Sequence, residues 1–311
     1  MTQTRTQPLQ TPRPDPGTLR GLLRSWERSL RATRRSPATI SNYRAAGLQL
    51  ADHLEGAGMP QRVADIRREH VEDYIIAIGD RHSPATTATR YRALQQLFRW
   101  LLEEGEVRES PMRNMKPPPV PETPVPVLSE SDLKRLLATC SGTSFAERRD
   151  AAIIRLFADT GMRRAELSNL RLDDIDDEQD VALVIGKGSR PRACPFEAKT
   201  GQALDRYVRE RAKHRHADLD ALWLGERGAL SHAGIAQMLA RRGEQAGLGP
   251  IHPHQLRHSF AHHWLADGGS EGDLMRLGGW RSRQMLDRYG ASAATERARE
   301  AHRRHSLGDK I

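Results

Sequence analysis

The sequence predicts a mainly α protein, formally α+β, in two parts: a small helical bundle followed by a mostly helical region that carries one small antiparallel β-sheet. Three observations predict it. Apolar residues recur at helical spacing in four successive segments of residues 17–108. Seven prolines then break the pattern between residues 110 and 126. Beyond them helical patterns resume, except around 172–196, where "VALVIGKGSRPRACPF" reads as two strands about a Gly-Lys-Gly-Ser turn.

The chain has 311 residues, enough for two cores, with 37% hydrophobic and 29% charged residues. No apolar run approaches the roughly 18 residues of a membrane span. The opening "MTQTRTQPLQTPRPDPG" lacks the apolar centre of a signal peptide, so a cytoplasmic protein without a membrane partner is expected. Cys140 and Cys194 lie far apart with no CxxC pattern, which excludes a disulfide framework and a cysteine-built zinc site and leaves both as inert core residues. The net charge is +9, with 19 Lys+Arg against 13 Asp+Glu in residues 1–116. Only six of the 49 basic residues are lysines. Arginine's planar fork grips phosphate oxygens bidentately, so the bias fits a nucleic-acid partner; a general preference for arginine fits it equally.

Residues 1–16 read as a disordered, proline-rich tail. In the first helix Leu19, Leu22, Leu23, Trp26 and Leu30 form one apolar stripe. The second begins at "SPATI", where Ser36 can cap and Pro37 suits the first helical position. The third takes Val71, Tyr74, Ile75 and Ile78. "SPATT" repeats the capping device at Ser83 and Pro84, and Tyr91, Leu94, Leu97, Phe98 and Leu101 continue the stripe. Residues 109–126 read as an extended linker, because proline removes amide donors and stiffens the chain. The second domain, 127–311, opens with a helix capped by Ser129 that carries Leu133, Leu136 and Leu137.

Five pieces of this second part point to an anion site. In "DTGMRRAEL", Gly161 ends one helix and Met162 to Leu170 begin another, placing Arg163 and Glu166 three apart on one face. Lys187 sits at the hairpin tip. In "HPHQLRHSFAHHW", Pro253 starts a helix, His254 and Arg257 share a face, and Leu256, Phe260 and Trp264 line another that reaches the core. His258 and His262 are four apart, yet no HExxH or nearby carboxylate with ligand spacing accompanies them, so His258 reads as a buried, hydrogen-bonded histidine and no metal site is expected. In "GGWRSRQMLDRYG", glycines end the helix containing Leu274, Met275 and Leu277, Trp280 follows, and a short helix runs from Ser282 to Tyr289. Each piece alone has a plainer reading: a surface ion pair, a solvated lysine, a core tryptophan, a packed tyrosine.

Taken in order, "TGMRRAEL", "GKGSRPR", "HQLRHSF" and "GGWRSRQMLDRY" resemble the tyrosine recombinase (phage integrase) family, and the resemblance, Xer-like in its two-domain architecture, covers nearly the whole chain. It implies a four-helix, SAM-like core-binding domain over 17–108 and a catalytic domain over 127–311. It implies Tyr289 as the nucleophile on a scissile DNA phosphate, giving a 3′-phosphotyrosyl link, with no metal, ATP or other cofactor. Arg163 and Arg257 would clamp the non-bridging oxygens, Lys187 would protonate the departing 5′-oxygen, and His254 would assist proton transfer. Trp280 stands where many members have histidine and would donate a hydrogen bond. Glu166 would orient Arg163. Arg190 replaces the family's second hairpin lysine, and Arg281, Arg283 and Arg288 are expected to grip flanking DNA or neighbouring protein.

The implied partners are double-stranded recombination sites, a homotetramer on two of them with a dimer at each, and accessory DNA-bending or excision-control proteins. The tail from about Thr295 is expected to dock onto a neighbouring protomer. Integration or excision of a mobile element is the expected role. The alternatives are a housekeeping chromosome-dimer resolvase, a type IB-like topoisomerase and a non-catalytic DNA-binding relative.

Overall fold

The computed structural model describes residues 15, 17–121, 126–186, 190–280 and 286, Arg190 through its backbone only. Nearly all of the N-terminal tail, the Lys187 tip and the C-terminal tail lie outside them. The chain divides into two compact units, Met1–Glu122 and Thr123–Ile311.

The first unit holds four helices, α1 (Leu19–Ala32), α2 (Pro37–Gly56), α3 (Arg68–Gly79) and α4 (Pro84–Glu103). Both SPAT segments begin helices as their chemistry requires: the Ser36 hydroxyl accepts from the Thr39 amide at 3.2 Å and Ser83 from Thr86 at 3.4 Å, each ahead of a proline at the first position. The apolar stripes meet in one core, where Leu50, Leu54, Leu94, Leu97, Phe98 and Leu101 are fully buried. Trp26 stacks on Tyr43 with ring centres 5.6 Å apart. On α3, Val71 and Tyr74 are buried, while Ile75 and Ile78 are only partly so. The start of the proline-rich stretch is not a bare spacer. Met112 is buried in this core, and the Tyr91 hydroxyl donates to the Met115 carbonyl at 2.7 Å. A methionine in an otherwise polar, proline-rich segment finds more stabilisation in the core than in water.

The second unit is organised around α6 (Phe145–Thr160), which packs against α8 (Ala198–Arg211) and α10 (Pro253–Ala266) after α5 (Glu130–Ala138). Ala152, Ile153, Ile154, Leu156 and Phe157 cover most of the circumference of α6, so it is buried nearly all round. Its N-terminus is capped reciprocally by Ser144 and Glu147. Asp150 on the same helix is wholly buried and accepts from Arg149 at 2.7 Å, Arg242 at 2.9 Å and Arg241 at 3.2 Å, which ties α6 to α9 (His232–Gln245).

The short α7 (Arg164–Ser168) leads into a three-stranded antiparallel sheet ordered β1 (Ile175–Asp176), β2 (Val181–Gly186), β3 (Arg190–Pro195). Gly186 pairs with Arg190, so β2 and β3 form the antiparallel hairpin that the sequence predicts. A second pair, β4 (Leu224–Gly225) with β5 (Gly228–Ala229), was not expected; two-residue strands leave no alternation to detect. The expected helix over 162–170 contracts to five residues. Met162 is buried ahead of it, and Leu167 and Leu170 face the core as expected. The final described helix is α11 (Glu271–Gly278). Where the chain enters this unit, the Leu128 amide donates to the Ser259 hydroxyl at 2.8 Å and the Leu128 carbonyl bonds the His263 ring at 2.9 Å, fixing the segment to α10. Among the described residues no helix is long and apolar enough to cross a membrane.

Candidate active site

Gly161 ends α6 in the left-handed conformation, φ 53°, and a Cβ there would lie 2.1 Å from the Phe260 ring. The chain therefore turns sharply, and Arg163 becomes the residue before α7 instead of one on its face. Glu166 reaches back: its carboxylate accepts the Arg163 amide at 2.8 Å and the Arg163 guanidinium at 2.9 Å. The expected pairing of the two residues holds; the geometry is that of a cap.

The end of α11 supplies the other half of the frame. Its last carbonyls have no partner within the helix, and they carry the negative end of the helix dipole. Gly279, at φ 66°, turns the chain so that successive oxygens point to three arginines from three elements. Leu277 O accepts from Arg192 Nε on β3 at 2.8 Å. Gly278 O accepts from Arg257 Nη2 on α10 at 2.7 Å. Gly279 O accepts from Arg163 Nη2 at 2.6 Å. Both positions disfavour a side chain: a Cβ at Gly278 would meet the Trp280 ring at 1.7 Å, and Gly279, at φ 66°, lies in the left-handed region, with a Cβ 3.1 Å from the Arg163 and Arg192 guanidinia.

Arg257 is 4% exposed, also donates to the Gly161 carbonyl, and lies with its guanidinium carbon 3.9 Å from the centre of the Trp280 ring. Trp280 is itself buried and packs with Ala261, Leu265, Leu274 and Leu286. Trp280 is thus a core aromatic, its plainer reading, and it lies against an arginine of the site. Phe260 and Trp264 pack only partly against this smaller cluster, instead of entering the main core with Leu256.

His254, one turn before Arg257, is exposed as a residue while its ring is partly withdrawn from water; that desolvation first, then the positive Arg164 and Arg257, hold its imidazole below the ordinary histidine range and hence neutral at pH 7. His258 is half-buried instead of buried, and desolvation, with His254 and Arg257 nearby, lowers it to about 4.

The structure thus brings together Arg163, Glu166, Arg257 and Trp280, with His254 on the same helix turn as Arg257. Lys187 and Tyr289 lie outside the described residues, as do Arg281, Arg283 and Arg288. Leu286, three positions before Tyr289, is buried beside Trp280. No group of three His, Cys, Asp or Glu side chains suited to a metal occurs among the described residues. Cys194 is buried, and burial raises its thiol, as expected of an inert core residue.

Sequence reasoning missed Arg192. It donates to Glu166 through both terminal nitrogens, at 2.9 and 2.8 Å, and is largely buried. Strand alternation was the available signal: Arg192 is two residues from Cys194, so if the cysteine faces inward the arginine does too. With two arginines on its carboxylate, Glu166 is held at about 2 although burial alone would raise it.

Residues 126–296 match the phage integrase family, and residues 22–105 match the N-terminal SAM-like domain of phage integrases. The chain belongs to the phage integrase family of tyrosine recombinases. As a tyrosine recombinase it is an enzyme that cleaves and rejoins DNA. Tyrosine recombinase XerD of Corynebacterium glutamicum is 33% identical over 265 residues, which span 81% of this chain and 86% of that protein. The crystal structure of XerH site-specific recombinase bound to palindromic difH substrate, a post-cleavage complex, superposes with a TM-score of 0.72 at 20% identity, covering 92% of this chain and 84% of that one. A lambda integrase tetramer bound to a Holliday junction gives a TM-score of 0.66 at 17% identity, covering 85% and 78%. At these identities the two structures establish a shared fold.

Proposed function

We propose that this recombinase joins two copies of a specific DNA site, with Tyr289 as the nucleophile and Arg163 and Arg257 as the clamp on the scissile phosphate. One observation carries the reading: Arg163 and Arg257, distant in sequence, donate to the adjacent carbonyls of Gly279 and Gly278, directly before Trp280 and ten residues or so before Tyr289. Two guanidinia held on successive carbonyls suit the two non-bridging oxygens, where negative charge grows in the transition state. Attack by the Tyr289 phenolate forms the 3′-phosphotyrosyl bond and expels the 5′-oxygen, which takes a proton from Lys187. The bond energy stays in the protein–DNA link, so rejoining needs no external energy source. His254, neutral at pH 7, is suited to hydrogen-bond the phosphate and to exchange a proton. Trp280 backs Arg257, and Glu166 orients Arg163. The charge needed comes from arginine and lysine, so the proposed chemistry calls for no cofactor.

The domain roles follow the same reading: residues 17–108 bind core DNA, 109–126 link, and 127–311 catalyse, in a cytoplasmic protein acting on the nucleoid. A tetramer on two DNA sites is proposed by analogy with the lambda integrase assembly. For the biological role, the 33% identity to a protein named XerD favours an Xer-type recombinase over a mobile-element integrase, which only the tail composition suggests.

The test is covalent capture. The full chain is incubated with a pool of nicked duplexes of randomised sequence, and protease-sensitive DNA adducts are isolated and sequenced. The proposal expects one recurrent sequence from the wild type and no adduct from Tyr289→Phe. An adduct formed by Tyr289→Phe, or none by the wild type, overturns it.

A further inference from the structure

We infer that Arg192 is a positioning residue for strand cleavage: from β3 it holds the Glu166 carboxylate that orients Arg163, and it anchors the end of α11 that carries Trp280. The inference rests on the proposed role of Arg163.

An ionised carboxylate offers about four acceptor positions. On Glu166 all four are filled: Oε1 accepts from Arg163 Nη1 and Arg192 Nη1, and Oε2 from the Arg163 amide and Arg192 Nη2, at 2.8–2.9 Å. The carboxylate therefore cannot rotate without breaking a charge-assisted bond in a site where its side chain is only 5% exposed. The third Arg192 donor, Nε, fixes the Leu277 carbonyl, one residue before the oxygen that holds Arg257. A single guanidinium thus joins the supports of both arginines of the proposed clamp.

Charge gives a second reason for Arg192. Glu166 paired with Arg163 alone would cancel the positive charge that a phosphate must meet. Arg192 takes the bidentate pair with Glu166, at 13% side-chain exposure, while Arg163, at 31%, keeps a net positive field on the more open side. The titratable or charged groups facing Glu166 are Arg163 from its own segment, and Arg192 and Cys194 from β3; Arg257 from α10 lies near Cys194.

The experiment measures single-turnover cleavage of the captured duplex by the full chain. It compares wild type, Arg192→Lys, Arg192→Met and Arg192→Met/Glu166→Gln between pH 7.5 and 4.5, with duplex affinity and thermal melting recorded for each. Misplacing a clamp arginine costs about 10²-fold in rate, so Arg192→Met should cleave about 10²-fold more slowly. Its affinity should change little, because one site charge is small beside the many phosphate contacts. Arg192→Lys keeps the charge but not the fork and should fall between. In Arg192→Met, Glu166 loses its strongest partner and protonates nearer the ordinary carboxyl range, so cleavage should decline at higher pH than in the wild type. Glu166→Gln in that background should abolish this shift. If Arg192→Met does not fold, Arg192→Lys carries the same comparison. Wild-type rates and an unshifted pH profile in the folded Arg192 variants overturn the inference. Absence of any wild-type adduct would instead overturn the proposed function.

Discussion

The guanidinium carbon of Arg257 lies over the Trp280 ring, 3.9 Å from its centre, where both residues are nearly buried. Such a desolvated cation–π contact contributes about 2 kcal/mol. It offers a physical reason for tryptophan at a position read from sequence as a hydrogen-bond donor.

That contact separates two roles for Trp280. Trp280→Phe keeps a ring beneath Arg257 and removes the indole N–H, whereas Trp280→Ala removes both. If stacking dominates, Trp280→Phe retains most of the cleavage rate and melting temperature, while Trp280→Ala loses about 3–5 kcal/mol of stability together with most activity. Equal losses in both variants, read by adduct formation and calorimetry, would assign the role to the N–H.

The histidines predict a pH dependence of stability. An unfolded histidine protonates near 6.5, but His258 in the fold does so only at about 4, and His254 is lowered too. Neutral imidazole is thus favoured by folding: this stabilisation is complete above pH 6.5 and is lost as the pH falls toward 4. Glu166, depressed from 4.5 to about 2, contributes stability that is complete above 4.5 and lost over the next window down. Denaturant midpoints should therefore fall in two stages on acidification, and His258→Gln should flatten the first. Histidine ring resonances followed by NMR should show His258 titrating at about 4.

Asp150 predicts a large stability effect remote from the site. It is wholly buried among Arg149, Arg241 and Arg242, so Asp150→Asn leaves buried positive charge uncompensated and should cost about 3–5 kcal/mol. Asp205, in an exposed i,i+4 pair with Arg209, is the control, and Asp205→Asn should cost at most about 1 kcal/mol. Chemical denaturation of the two variants gives the comparison directly.

Much of this was legible in the sequence because periodicity and capping are local. Ser36–Pro37, Ser83–Pro84 and Ser129 mark helix starts, and the stripes of α1 and α4 name their own core. The pairing of Arg163 with Glu166 was legible from spacing, but its form was not: a helix of five residues has too little period to show where it begins. Arg192 looked like one more basic residue of a nucleic-acid protein, and only its alternation with Cys194 hinted that it turns inward. The carbonyls of residues 277–279 leave no side-chain signature at all. The two glycines permit their geometry without announcing which oxygens are used.

That last feature bears on how the site withstands mutation. The acceptors that seat Arg163, Arg192 and Arg257 on α11 belong to the main chain, so no amino-acid replacement can delete them. What a replacement at Gly278 or Gly279 can change is where they point. Sequence drift at this corner is therefore limited by the path of the backbone, and the three arginines keep their seats as long as that path is kept.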